Sequence, residues 1–409
     1  MTEGNPGHST STVALLEPVP SHESFELPPP ENRLYFPAID GLRAVAAFLV
    51  FLEHYYLYRR SAYLHWGWVG VDIFFVLSGF LITGILYDTR DARHRVRNFY
   101  VRRMLRIFPL YYGVFLVVLL LTPFFHWSWS SYWLLWPVYL GNFGHLLSPA
   151  TRLSSVGDLE HLYSRFPNIF LSFGHFWSLC VEEQFYLIWP FVVFWVRDRK
   201  RLLYLCGAVF AAMPFIRLAA SFLLPQRWIA VDALYFGTQF RIDALLLGGM
   251  LALILRGPAA QAMLGRARQL LVLSLLLLAG AWVTAAVFLH QGFGAGPETP
   301  WIRTFGFSLI DLIAAGILLL TLQPGNLLYR LFSQKPLRKM GRISYGFYIF
   351  HDLPHALYAR MAAALVGSHA VYIPAVTPVL AFFCTLVVAG GSFRYFESLF
   401  LNLKDRFTL

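Results

Sequence analysis

Residues 131–147 read SYWLLWPVYLGNFGHLL, and whether this stretch crosses a bilayer decides the topology of everything after it. It is apolar and almost long enough to span. It also holds Pro137, Gly141, Asn142, Gly144 and His145, which put polar groups and weak helix formers in the middle of a would-be helix. The surrounding chain can settle the matter, because Lys and Arg concentrate in the cytoplasmic connections of a membrane protein.

Ten other segments have spanning length and character, at roughly 41–58, 68–87, 107–123, 175–195, 202–224, 235–255, 269–290, 305–323, 343–364 and 372–393. A span needs about 20 predominantly apolar residues. With ten crossings and a cytoplasmic N-terminus, the inner connections 88–106, 196–201, 256–268 and 324–342 carry 7, 4, 3 and 5 Lys or Arg, and the chain from Arg394 onward adds 3. The outer connections hold Arg59, Arg60, Arg152, Arg165, Arg227 and Arg303. If 131–147 also crossed, the later connections would change sides and the count would become 11 inside against 17 outside. The bias therefore makes 131–147 a re-entrant or interfacial segment of a long external region, 124–174. Its Trp and Tyr residues suit the headgroup level.

Composition points the same way. Of 409 residues, 33 are Lys or Arg and 22 are Asp or Glu, so 13% are charged, against roughly 25% in a soluble domain. Hydrophobic residues reach 57%, with a mean hydropathy of +0.56. This excludes an ordinary cytosolic enzyme, a disordered chain and a disulfide-rich secreted domain. The net charge of +11 is read as orientation in the membrane, not as nucleic-acid binding. Cys180, Cys206 and Cys384 lie in apolar runs with no CxxC or Cys/His spacing, so they are expected to be small core residues, with no metal site.

The expected fold class is all-α, a polytopic membrane helical bundle of about ten transmembrane helices plus the re-entrant or interfacial segment. Residues 1–34 are expected to be a flexible cytoplasmic tail rich in Pro, Ser, Thr and Glu. Its longest apolar run, Val13-Ala14-Leu15-Leu16, is too short for a signal-peptide core. Residues 35–400 form the membrane domain and 401–409 a short cytoplasmic C-terminal tail.

In so apolar a chain each ionisable group within a span raises a functional question, since its burial costs a few kcal/mol. The first span places Asp40 near its start as an N-cap candidate, then Arg43, and ends Leu52-Glu53-His54. Arg43 and His54 share a helix face but lie about 16 Å apart along the axis. His54 is a natural proton acceptor, and a packed, satisfied histidine is the plainer alternative. Asp72 enters the second span from outside at a similar depth, as a substrate contact, a cap or a partner for an arginine. Gly79 and Gly84 permit close packing there. Arg102, Arg103 and Arg106 crowd one side of the third span's entry, as topological anchors or as a site for an anionic ligand such as a nucleotide phosphate. The fourth span carries Ser178, Glu182 and Tyr186 at i,i+4 spacing, with Glu183 about 100° round. An ion pair of the glutamates with Arg217 or Arg241 is the structural alternative. Asp243, Asp311, His351 and Asp352 are further charges within spans.

These residues, taken together, resemble the membrane-bound acyltransferase 3 family of integral-membrane O-acyltransferases, in its stand-alone form without a C-terminal hydrolase-like domain. The matching stretches are IDGLRAVAAFLVFLEH (39–54), GVDIFFVLSGFLIT (70–83), FYVRRMLRIFPLYY (99–112), FWSLCVEEQFYLIWP (176–190), ISYGFYIFH (343–351) and FRYFE (393–397). The resemblance implies about ten helices and an acyl-CoA donor, acetyl-CoA being the expected form, on the cytoplasmic side. It implies a catalytic role for His54, set off from Arg43 by ten residues, and a donor role for Arg103 and Arg106. The family's paired glutamates fall on Glu182 and Glu183. Expected site residues are therefore His54, Glu182 and Glu183 for catalysis, Arg43, Arg103 and Arg106 for the donor, and Asp72, Ser178, Tyr186 and His351 for the substrate. In this reading Glu182 or Glu183 orients and charge-stabilises the His54 imidazole, as a triad carboxylate does.

The expected activity moves an acyl group to a hydroxyl of a carbohydrate or related acceptor outside the bacterial inner membrane, with both termini cytoplasmic. The partners are the bilayer, the acyl-CoA and a glycan or glycolipid acceptor, with no nucleic acid. The alternative is a transporter of a glycan or anionic substrate whose charges line a pathway. A reporter fused after Lys200 is predicted to score cytoplasmic, and an external score overturns the ten-span topology.

Overall fold

The computed structural model describes residues 36–57, 65–127, 129, 133–144, 161–163, 170–224, 227–290, 294, 296–403 and 406–407. The expected N-terminal tail, most of the external region 145–169 and parts of the C-terminal tail lie outside the described residues. Helix α1, Pro37–Leu52, opens with proline at its first turn, where the missing N–H costs nothing. Asp40 therefore sits inside the first turn and is not the N-cap, which is Phe36. Asp40 still faces the positive end of the helix dipole. A π-helical turn, Glu53–Leu57, continues the helix and carries His54.

The next helices are α2, Val69–Asp88, α3, Arg95–Phe125, α4, Trp177–Trp195, and α5, Arg199–Leu223. Between α3 and α4 the chain makes two short 3₁₀ turns, Trp133–Leu135 and Gly141–Phe143. Here also are the two strands of the described residues, β1, His161–Tyr163, and β2, Phe170–Ser172, paired antiparallel with Leu162 opposite Leu171. Residues 133–144 form no spanning helix. They dock through Asn142, whose Nδ2 donates to the Phe236 carbonyl and the Thr238 hydroxyl, both at 3.0 Å, while Gln184 Nε2 donates to the Tyr139 carbonyl at 2.6 Å.

The sixth expected span is split. Helix α6, Arg227–Phe236, and helix α7, Thr238–Ile254, meet at extended Gly237. A short α8, Ala260–Gly265, leads to α9, Ala267–Val287, and a π turn, Ile302–Gly306, leads to α10, Phe307–Thr321. Short helices α11, Leu327–Phe332, and α12, Lys335–Arg342, precede α13, Ser344–Phe350, and α14, His355–Val366. Helix α15, Ile373–Ser392, continues through a π turn into α16, Ser398–Leu403.

Seven helical stretches of the described residues are long and apolar enough to cross a membrane. The other three expected spans are helical too, but α1 is short, α4 carries Glu182, Glu183 and Gln184, and the ninth span is broken between α13 and α14. The break falls at Pro354, which has no N–H to donate to Phe350 and disfavours helical backbone at Leu353. Of the expected site residues, His54, Glu182, Glu183 and His351 lie on these three spans, while Arg103 and Arg106 lie on α3.

Helices α2 and α10 are central and mostly buried, whereas α9 is mostly exposed. The exposed faces of α3, α5 and α9 present Leu116, Leu120, Phe215 and Leu276, the surface expected against lipid tails. Helices α2 and α7 touch backbone to backbone. A side chain at Gly79 would collide with the Leu245 carbonyl and one at Gly248 with the Val76 carbonyl. Gly84, by contrast, meets only the Arg256 guanidinium.

The core is pinned by ion pairs with no exposure. Arg217 of α5 pairs with Asp243 of α7 at 2.5 Å and donates also to the Phe240 carbonyl at 2.8 Å and the Ser308 hydroxyl at 3.0 Å. Arg241 pairs with Asp72 at 2.5 Å and lies 4.0 Å over the Phe307 ring. A buried pair adds little net stability, but losing one partner strands the other charge. Asp243→Ala is predicted to destabilise the protein by about 3–5 kcal/mol, read as a large drop in the detergent melting temperature, and a midpoint equal to wild type refutes the pinning role.

Candidate active site

Two cavities meet inside the bundle. One, of about 620 Å³, is lined by His54, His175, Tyr348, Asp352, His355 and Glu53 among others, with Trp68, Trp177 and Tyr235 supplying aromatic walls. The other, of about 170 Å³, is lined by Arg43, Arg103, Arg106, Ser178, Glu182 and Glu183, with Tyr345 and Tyr348. Val71 and Tyr348 line both. At the junction the Ser178 and Tyr348 hydroxyls share a hydrogen bond of 2.5 Å, and Tyr348 donates to the His175 carbonyl at 2.7 Å.

The histidine cavity is built on the broken ninth span. A helix end leaves its last carbonyls without intrahelical donors. At the end of α13 side chains supply them. His351 Nδ1 donates to the Tyr348 carbonyl at 2.6 Å and His175 Nε2 to that of Ile349 at 3.1 Å. Tyr358 donates to the Phe350 carbonyl at 3.3 Å and Tyr55 to that of His351 at 2.7 Å. The Ser172 amide, from β2, bonds the Leu353 carbonyl at 2.9 Å. Three imidazoles thereby converge, with His54 and His175 each 4.9 Å from His351 between ring centres.

His54 itself donates from Nδ1 to the Val50 carbonyl one turn back, at 2.9 Å, and the same nitrogen lies 3.3 Å from His351 Nε2. A carbonyl can only accept, so Nδ1 carries the proton. Nε2 is then the basic nitrogen, on the residue that lines the cavity. Asp352 brings a carboxylate beside the group, 3.8 Å from His175 Nδ1 and 3.2 Å from His355 Nδ1.

The rim is clamped by His65, whose ring pairs with Glu53 and lies 3.7 Å from Glu298. Burial by itself lowers the pKa of His65, but the Glu298 and Glu53 carboxylates outweigh it and raise the value to about 9. Glu53 also accepts from the Gly67 amide at 2.8 Å, so it holds the α1–α2 connection in place.

The arginine cavity carries three guanidiniums against two carboxylates. Arg103 lies 3.7 Å from Glu183 and 3.7 Å over the Tyr186 ring. Ser78 donates to Glu182. Neither Arg43 nor Arg106 forms an ion pair within 4.0 Å among the described residues, and Arg106 is exposed. Two uncommitted guanidiniums beside a partly neutralised third suit a polyanionic ligand.

The structure corrects several sequence expectations. Glu182 and Glu183 line the arginine cavity rather than the cavity that His54 lines. The fourth span enters through the 3₁₀ turn Gly174–Phe176, so it is His175 that stands beside His54. Glu182 lies seven residues further on, about 10 Å along the axis, so the depth assigned to it from sequence is one to two turns too shallow. Asp72 is fully buried against Arg241 and lines neither cavity. Tyr186 and His351 are each 1% exposed and line neither cavity. Of the expected substrate contacts, only Ser178 lines a cavity. The expected pairing of a glutamate with Arg217 or Arg241 is replaced by Asp243 and Asp72, while Glu183 takes Arg103. Tyr348, His175, Asp352 and Ser78 acquire places at the site that sequence reasoning did not assign. Among the described residues no group of three or more His, Cys, Asp or Glu is placed to hold a metal ion.

A family model described as an acyltransferase domain matches residues 36–392. A peptidoglycan O-acetyltransferase of Listeria monocytogenes is 30% identical over 329 residues, 78% of this chain and 49% of that protein. An O-acetyltransferase of Staphylococcus aureus is 27% identical over 376 residues, 89% of this chain and 57% of that protein. The chain thus spans about half the length of these curated relatives. No solved structure matches it. With the matching stretches on the helices that build both cavities, the chain belongs to the acyltransferase 3 family.

Proposed function

We propose that this protein is a membrane O-acetyltransferase that takes an acetyl group from acyl-CoA, acetyl-CoA in the simplest form, at the cytoplasmic face and transfers it to a hydroxyl of a carbohydrate acceptor on the other side. The observation that carries the proposal is a basic cavity and a histidine cavity that share the wall residues Val71 and Tyr348. The names of the relatives support O-acetyl transfer, and that of the Listeria protein supports peptidoglycan as the acceptor class. The excess of Lys and Arg in connections 88–106, 196–201, 256–268 and 324–342 supports the arginine end as the cytoplasmic one, in a bacterial inner membrane with both termini inside.

Each part of the site has a task in that reaction. Arg43, Arg103 and Arg106 hold the donor's phosphates by charge-assisted hydrogen bonds. Glu183 and the Tyr186 ring keep the Arg103 side chain in place. The acyl end of the donor lies toward the Ser178–Tyr348 junction. In the second cavity, aromatic walls and carboxylates suit the faces and hydroxyls of a sugar. His54 Nε2 removes the acceptor hydroxyl proton as the new oxygen–carbon bond forms. The carbon–sulfur bond breaks, and the proton on His54 passes to the departing thiolate. The carboxylate near the imidazoles is Asp352, which favours the cationic state reached during transfer.

Transfer of labelled acetate from acetyl-CoA to peptidoglycan fragments by membranes containing the protein tests the reading. His54→Ala is predicted to slow transfer by about 10²- to 10⁴-fold with unchanged melting temperature, and normal transfer by that variant rejects His54 as the base. Arg103→Ala combined with Arg106→Ala is predicted to weaken CoA binding by at least about tenfold; unchanged affinity returns those arginines to topological anchoring.

A further inference from the structure

The His54 imidazole has one nitrogen committed and one open, and the committed side has two acceptors. Its Nδ1–H points at the Val50 carbonyl at 2.9 Å and at His351 Nε2 at 3.3 Å. His351 is itself fixed, because its Nδ1 donates to the Tyr348 carbonyl at 2.6 Å. A neutral imidazole with its proton on Nδ1 presents a lone pair on Nε2. So the His351 lone pair faces the His54 N–H, and its ring plane is set by the bond to the Tyr348 carbonyl at the end of α13.

We infer that His351 is a positioning residue for His54, accepting the Nδ1–H so that the basic Nε2 stays turned to the cavity. The inference rests on the assignment of His54 as the base. It gives His351 the part that sequence reading gave to Glu182 or Glu183, and it removes His351 from the substrate contacts, in keeping with its 1% exposure.

The chemistry follows from the geometry. A bare imidazole can carry its single proton on either nitrogen and can spin about its Cβ–Cγ bond. The Val50 carbonyl alone fixes the tautomer weakly, since a helix carbonyl already has a backbone donor. The second acceptor adds a hydrogen bond that strengthens when His54 takes the acceptor's proton and becomes cationic. His351 keeps its own proton throughout. The proton taken up at Nε2 leaves from Nε2 to the thiolate, so nothing is consumed or left over at His351. The ionisable groups around the pair are His175, Asp352, His355 and Glu53, and the Asp352 carboxylate lies 3.8 Å from His175 Nδ1 and 3.2 Å from His355 Nδ1.

Side chains that keep or remove the acceptor test this. In His351→Gln the amide oxygen can still accept from His54 Nδ1, whereas His351→Leu and His351→Met offer no strong acceptor. All three are measured in the whole chain in membranes, with labelled acetyl-CoA and peptidoglycan fragments, and each is checked for its detergent melting temperature. The apolar variants are expected to lose about 10- to 100-fold in kcat, with KM for the fragments within about twofold of wild type, and the Gln variant is expected to recover most of kcat. Apolar variants with wild-type kcat overturn the inference. So does a raised KM with Gln no better than Leu or Met, which makes His351 a substrate contact. His54→Ala in the same assay separates the two levels of the argument, because transfer retained there rejects the base assignment itself.

Discussion

The site depends on the interruption of the ninth span. Pro354 withholds one N–H, and the chain from His351 to Pro354 turns instead of winding on. An unpaired carbonyl inside a bundle costs several kcal/mol in a lipid-like medium. Four such groups, on Tyr348, Ile349, Phe350 and His351, need donors, and they recruit His351, His175, Tyr358 and Tyr55. The requirement to satisfy backbone thus fixes side chains from three other segments at one place. Two of the recruited groups are imidazoles that stand against His54. A continuous helix would hide those carbonyls and leave His175 and His351 without anchors.

A convergent site is useful only if its walls hold still, and the rest of the bundle supplies that rigidity. Helix α2 is locked to α7 by the glycine contacts at Gly79 and Gly248. It is locked also by the Asp72–Arg241 pair, one residue from Val71, which lines both cavities. Arg217 ties α5 to α7 through Asp243 and to α10 through Ser308. These guanidiniums are fully enclosed and hold neighbours together. Among the described residues Arg43 and Arg106 have no such partner, and they line the arginine cavity together with Arg103, which stands 3.7 Å from Glu183.

The membrane class and the ten long helical segments were legible in the sequence from length and hydropathy, but the short helices α8, α11, α12 and α16 and the break of the ninth span were not. Lys and Arg counts, which act over the whole chain and need no local geometry, also pointed to a non-spanning stretch at 131–147, of which the described residues 133–144 form no spanning helix. The charged residues could be found but not sorted. Asp72, Glu182 and Glu183 are all carboxylates in apolar helices. Which one meets Arg241, which meets Arg103, and which stands near His54 depends on depth and rotation, and a helix start shifted by a few residues changes both. The fourth span shows this, because its entry through a 3₁₀ turn moved the glutamates away from His54 and put His175 there instead. Tyr348 was hidden for a different reason. A tyrosine in an aromatic-rich helix carries no signal until another cavity is seen to share it.

The placement of the glutamates follows from electrostatics. Three guanidiniums within one small cavity repel one another strongly in a medium of low dielectric. An empty basic pocket needs counter-charge to be stable before any donor arrives. Glu182 and Glu183 supply it, with Ser78 bonded to one and Arg103 beside the other. They leave a net positive pocket, weaker than three free arginines but able to release a product of the same charge as its substrate. The acids that line the histidine cavity are engaged by imidazoles other than His54: Asp352 by His175 and His355, and Glu53 by His65. In the proposed reaction the acids of the arginine cavity thus offset guanidiniums, while those of the histidine cavity are taken up by His65, His175 and His355, and His54 is left to act as the base.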